Sequence, residues 1–268
     1  MTAVPTVGVA GAARAAATAG YHEFRAMIDL RTWLGGYVVR LAFQVVFFTM
    51  VGRFVGGQEL VHFLLVGNIL AIIAMQGVAN SQTVLHERIG GTLMLLTASP
   101  TDGLAAILAR NAIRIVLSLV SSILVLVTLM LAFRMSVPLS GALLLPPILL
   151  VVAVSCYCYG CFMAALVYRF EWLQSAASNV SYLAVTVLAG VNVPTDYWPR
   201  PVQLVSDILP VTHGLRAVRA LTGQVPMALP AVQVLLELLV GVGWLVAAMF
   251  LLRRWIEADR AAGRIDLR

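Results

Sequence analysis

Leu229-Pro-Ala-Val-Gln-Val-Leu-Leu-Glu237-Leu-Leu-Val-Gly-Val-Gly-Trp244-Leu-Val-Ala-Ala-Met-Phe-Leu-Leu252 carries one charged residue in 24, and Arg253-Arg254 ends it abruptly. About 20 apolar residues suffice for a helix to cross the hydrocarbon core of a bilayer. Lipid offers no solvent to unpaired backbone groups, so such a stretch must be helical. Five more stretches read the same way: Trp33–Val55, Val61–Val84, Leu104–Phe133, Ser140–Val167 and Gln174–Val193. The fold class is therefore all-α integral membrane, with six transmembrane helices. The third stretch is long enough for its first turns, with Arg110 and Arg114, to project from the membrane.

Composition agrees. The chain has 268 residues, 61% hydrophobic and 11% charged, where soluble domains carry about 25% charge. Little is left over for a soluble domain. Formal net charge is +6, and all 18 basic residues are arginine. In a membrane protein this balance reflects topology, because cytoplasmic loops collect positive charge; nucleic acid is not an expected partner. With both termini inside, 13 arginines fall on the inner side and only Arg53, Arg134, Arg200, Arg216 and Arg219 on the outer. That asymmetry predicts cytoplasmic N and C termini.

The flanking segments follow from this frame. Residues 1–20 lack a basic start and a clean apolar core, so they read as a flexible cytoplasmic tail rather than a cleaved signal. In Tyr21–Thr32, the charged Glu23, Arg25, Asp29 and Arg31 interleave with Phe24, Met27, Ile28 and Leu30, the pattern of an amphipathic interfacial helix. Residues 33–252 then form the six-helix membrane domain and 253–268 a cytoplasmic C-terminal tail. Val191–Val225 is too polar and too rich in proline to span. It reads as two short re-entrant outer helices between helices 5 and 6, with Tyr197 and Trp198 at headgroup depth.

Polar residues inside apolar helices either pack helices together or line a wet path. Gln44 in the first span, Gln76 and Asn80 in the second, and Asn179, Tyr182 and Thr186 in the fifth are candidates for a pathway or an intersubunit contact. Hydroxyls such as Ser118, Ser122 and Thr128 read as packing. Glu237 is the sharpest position, since a carboxylate two turns inside a span is costly and suggests function. It is expected to anchor the outer loop, to contact a substrate or proton, or to lie at a subunit interface, either neutral or paired with Arg216 or Arg219. Cys156, Cys158 and Cys161 lie in one apolar segment with no histidine or carboxylate nearby, so no metal site is expected. No catalytic constellation stands out.

Between the second and third spans, His86-Glu87-Arg88-Ile89-Gly90-Gly91-Thr92-Leu93-Met94-Leu95-Leu96-Thr97-Ala98-Ser99-Pro100 is too apolar for an ordinary loop. It describes a short helix at the membrane surface. Gly90 and Gly91 permit a sharp backbone entry, and Pro100 disfavours helical geometry at Ser99. Together with the amphipathic helix and Gly190-Val-Asn-Val-Pro194…Pro199…Ile208-Leu-Pro-Val-Thr-His213-Gly-Leu-Arg216, this layout resembles the permease subunits of type-2 ABC transporters, in particular the daunorubicin-exporter-like branch. Ile89 and Met94 depart from the family pattern, which often has acidic residues there.

The resemblance implies a bacterial inner-membrane, multi-pass permease that is not itself an enzyme. It would form an exporter pathway for an amphipathic small molecule such as a drug, antibiotic or natural product. It implies a cytoplasmic ATP-binding subunit, which would hold ATP and Mg, and a second permease, identical or related. Membrane lipids are the remaining partner. No cofactor is expected on this chain, because without lysine it has no Gly-x-x-x-x-Gly-Lys-Ser/Thr phosphate loop. The cytoplasmic coupling helix would engage the ATPase through Leu93, Leu95 and Leu96, framed by Glu87, Arg88, Gly90, Gly91, Thr92, Ser99 and Pro100. Within the family, a lipid-linked glycan or glycolipid is the alternative cargo. An integral membrane lipid-modifying enzyme is the alternative from another class.

Overall fold

A computed structural model describes residues 11, 18, 20–22, 30–79, 112–133, 139–225 and 229–261. The described residues form helices and turns without strands. Among the described residues, eight α-helices carry the architecture: α1 Leu30–Val55, α2 Gly57–Val78, α3 Ile113–Phe133, α4 Leu139–Arg169, α5 Gln174–Leu188, α6 Arg200–Ile208, α7 Thr212–Leu221 and α8 Pro230–Ala261. Glu23, Arg25, Asp29, Asn80 and Glu87–Pro100 lie outside the described residues, and with them the coupling helix and most of the interfacial helix; Leu30, Arg31 and Thr32, expected to close the interfacial helix, belong to α1.

Helix α2 packs against α1, α3, α4, α5 and α7, and α4 against α2, α3, α5, α7 and α8. Leu65, Leu70 and Ile73 of α2 are fully buried, together with Leu145, Leu149 and Val152 of α4. Small residues let backbones approach where apolar solvent gives no hydrophobic drive. A methyl group on Gly77 of α2 would stand 2.7 Å from the carbonyl oxygen of Cys156 in α4. Serine and threonine hydroxyls in α3 fold back on their own helix: Ser118 donates to the Ile115 carbonyl, Ser122 to Leu119 and Thr128 to Leu124.

Burial runs opposite to a soluble protein on the outer helices. Leu235, Leu239, Val242, Val246 and Phe250 of α8 are exposed, as are Phe43, Phe47, Met50 and Phe54 of α1. Among the described residues, three helical segments, Gly57–Val78, Gly141–Arg169 and Pro230–Asp259, are long and apolar enough to cross a membrane. Apolar surface on such helices is stable only against lipid or another membrane protein.

Boundaries differ from the sequence expectation most at α5 and α8. Helix α5 stops at Leu188 after 15 residues, about 22 Å, which is short of a hydrocarbon core of about 30 Å. The chain turns there because Gly190 takes φ +92° and Pro194 follows. Helix α8 continues nine residues past Leu252 to Ala261. Its polar end is held by Tyr168, which donates to Asp259 at 3.0 Å, and by Arg169, which lies 3.8 Å from the same carboxylate.

Candidate functional site

The most organised polar site among the described residues is the hairpin of α6 and α7 and the way α8 holds it. Helix α6 has Pro201 in its first turn, where a missing N–H costs nothing, and ends at Ile208. Helix termini leave backbone groups without intrahelical partners, and here side chains from the following elements supply them. Thr212 donates to the Ser206 carbonyl at 2.6 Å, the His213 ring nitrogen Nε2 to Asp207 at 3.0 Å, and Trp244 Nε1 to Ile208 at 2.8 Å. A carbonyl only accepts, so Nε2 of His213 carries the hydrogen, and Nδ1 faces the Gln233 amide at 2.8 Å.

The turn into α7 passes through Val211 at φ +84°, an uncommon conformation for a β-branched residue. Valine at the N-cap has no side chain to satisfy the first amides of the helix. Glu237 supplies what is missing. The Val211 N–H donates to its Oε1 at 2.8 Å and the Gly214 N–H to its Oε2 at 3.0 Å. The carboxylate is 0% exposed, which fits only a group whose acceptors are used. A negative group at a helix N-terminus also gains from the helix dipole. Gly214 makes room: a methyl group there would lie 2.1 Å from Val152 Cγ2 and 3.6 Å from Glu237 Cγ.

Glu237 is thus satisfied by backbone amides and not by Arg216 or Arg219, the cations the sequence nominates. Arg216 pairs with Asp207 at 2.8 Å, partly exposed, an arrangement worth about 0–1 kcal/mol. Buried Arg219 lies over the Phe63 ring of α2, 3.6 Å from its centroid, and donates to the Val191 carbonyl at 3.4 Å. It ties α7 to α2 by a cation–π contact. The far end of α7 closes on Gly223, φ +74°, with the Gln224 N–H returning to the Arg219 carbonyl at 2.9 Å, the 6→1 bond of a Schellman motif.

The remaining sequence candidates separate. Gln44 of α1 donates to buried Asn68 of α2 and so joins the two helices. Thr186 is buried and spends its hydroxyl on the Tyr182 and Leu183 carbonyls of its own helix. Gln76 and Tyr182 are half-buried, Asn179 is exposed, and Arg31 is exposed near the start of α1. Asp207, His213, Gln233 and Trp244 complete the hairpin site and were not singled out for it. Gln233, Glu237 and Trp244, at spacing i, i+4, i+11 on one helix face, were the available signal. Beside the hairpin lies a cavity of about 390 Å³ lined only by apolar residues, among them Leu144, Pro147, Val151, Leu221, Pro230 and Val234.

A helical bundle with lipid-facing apolar sides, a packed polar hairpin and apolar spanning helices defines a multi-pass integral membrane protein. The family model described as ABC-2 type transporter matches residues 25–222, the greater part of the chain, and the chain belongs to that family. It is the permease component of an ABC transporter, a transport subunit that works with an ATP-binding subunit. No curated protein matches the chain.

Proposed function

We propose that this permease forms half of the transmembrane pathway of an ATP-driven exporter for amphipathic small molecules, in a bacterial inner membrane. The family match across residues 25–222 carries the reading. In it, six spans place both termini in the cytoplasm, and the α6–α7 hairpin forms an outer cover over the pathway. A second permease, identical or related, completes the pathway, and the exposed apolar face of α1 is available to it. The apolar cavity beside the hairpin supports an apolar or amphipathic cargo, since its size lies within the range of small-molecule sites, about 300–1,000 Å³.

Coupling runs through Glu87–Pro100, with Leu93, Leu95 and Leu96 seated in a cleft of the ATPase. Because Ile89 and Met94 replace acidic residues, that grip rests on leucine packing more than on charge. The test is co-purification of the ATP-binding subunit with the permease carrying Leu95→Glu and Leu96→Glu. The variant should insert into the membrane normally and lose the ATPase. Retention of the ATPase at the wild-type ratio refutes the coupling assignment.

A further inference from the structure

We propose that the polar face of the α6–α7 hairpin walls a water-filled cleft that reaches the middle of the membrane and admits small charged solutes. Asp207 and Arg216 stand at its deepest point, paired at 2.8 Å with side chains 38% and 31% exposed. Depth and exposure place the cleft there, whatever the cargo of the transporter.

Two rulers fix the depth of Asp207, one through each of its neighbours in sequence. The Ile208 carbonyl accepts the indole N–H of Trp244 at 2.8 Å. Trp244 is nine residues before Arg253, where the apolar run of α8 ends, so it lies about 14 Å from that end. On the other side, Ser206 donates to the Leu188 carbonyl at 2.6 Å. Leu188 is 14 residues beyond Gln174, about 21 Å along α5. The ring contact of Phe170 with Trp255 sets the start of α5 level with the same end of α8. Asp207 is thus held between about 14 and 21 Å in a hydrocarbon core of about 30 Å. The start of α6 agrees. Arg200 is eight residues from Ile208, about 12 Å, and Tyr197 and Trp198 just before it suit headgroup level at the opposite surface.

Helix α6 carries three faces at that depth. Ser206 is buried against α5. Pro201, Leu204, Val205 and Ile208, at i, i+3, i+4 and i+7, are all exposed and suit acyl chains. Arg200, Gln203 and Asp207, at i, i+3 and i+7, form a polar stripe that Arg216 of α7 extends. Charges at this depth are costly against lipid and face protein or water. The chain itself leaves about a third of each partner of the pair uncovered, so the open side is water. Oδ1 of Asp207 is buried against Arg216, which leaves Oδ2 as the oxygen available to a solute.

The experiment places single cysteines in the full-length protein, reconstituted in vesicles, and measures labelling by membrane-impermeant methanethiosulfonates present on both sides. The three native cysteines are buried, and the wild type supplies the blank. Gln203→Cys and Leu204→Cys are neighbours at one depth on different faces, so they separate a wet cleft from depth alone. Gln203→Cys should react about 100-fold faster, because a charged reagent reaches Leu204 only through lipid. Asp207→Cys should match Gln203→Cys in rate. With Arg216 left unpaired, it should prefer an anionic sulfonate reagent about fivefold over a cationic ammonium one. Arg216→Cys should show the opposite preference. If breaking the pair prevents folding, the comparison of Gln203→Cys with Leu204→Cys carries the test by itself. Equal rates at these two positions overturn the proposal. Fast labelling at both means that the hairpin lies in bulk water; slow labelling at both means that lipid or a second protein surface covers the polar face.

Discussion

Replacing Glu237 with Gln is a near-isosteric change with a defined electrostatic consequence. One of the two acceptors facing Val211 and Gly214 becomes an N–H₂ donor and opposes a backbone N–H that lay at 2.8 or 3.0 Å. A hydrogen bond to a charged group contributes about 1.5–3 kcal/mol, and a partly buried charge at a helix terminus up to about 2 kcal/mol. These overlap, so we expect a loss of about 3 kcal/mol, or about 100-fold in the opening equilibrium of the hairpin. Glu237→Ala strands both amides and empties the stem volume, and should cost more. Hydrogen exchange on the reconstituted full-length protein reads the effect locally. The amides of residues 211–221 should lose protection by about 100-fold, while those of Leu65–Ile73 in α2 stay protected. Protection of residues 211–221 within threefold of wild type in E237Q would refute the clamp.

Two further outcomes test the packing. Gly214→Ala should destabilise by about 1–3 kcal/mol through overpacking; adding Val152→Ala should restore most of it, because the obstructing atom is a side-chain methyl. Gly77→Ala should resist rescue by Cys156→Ala, since backbone atoms of Cys156 also obstruct it; thermal unfolding midpoints distinguish the cases. A double-mutant cycle on Arg219→Gln and Phe63→Leu should give a coupling of about 1–2 kcal/mol, and a coupling near zero would remove the cation–π contact from the account.

Helix positions were largely legible because hydrophobic length is a property of letters. Ser140–Val167 and Leu229–Leu252 were read within one or two residues of the starts of α4 and α8. The end of α8 was not, because the apolar run measures hydrocarbon thickness while the helix continues on polar residues to Ala261. Val191–Val193 looked like the close of the fifth span because valine is apolar, yet Gly190 had already turned the chain. The importance of Glu237 followed from the cost of a carboxylate in a span, but its partners did not. A scan for a counter-charge finds Arg216 and Arg219, whereas the actual partners are backbone amides, which have no letter. The deficit at Val211 was visible in principle, as an N-cap without an oxygen.

Gln233, Glu237 and Trp244 share one face of α8, and Asp259 sits on the same continuous helix 22 residues beyond Glu237, about 33 Å along its axis. One continuous helix thus carries both sets of attachments, and the motion to consider is a rotation of α8 about its own axis. The three attachments would then swing out of register together rather than one at a time. The hairpin, bonded within itself and bordered by the left-handed glycines Gly190 and Gly223, is latched by a single key cut along one edge.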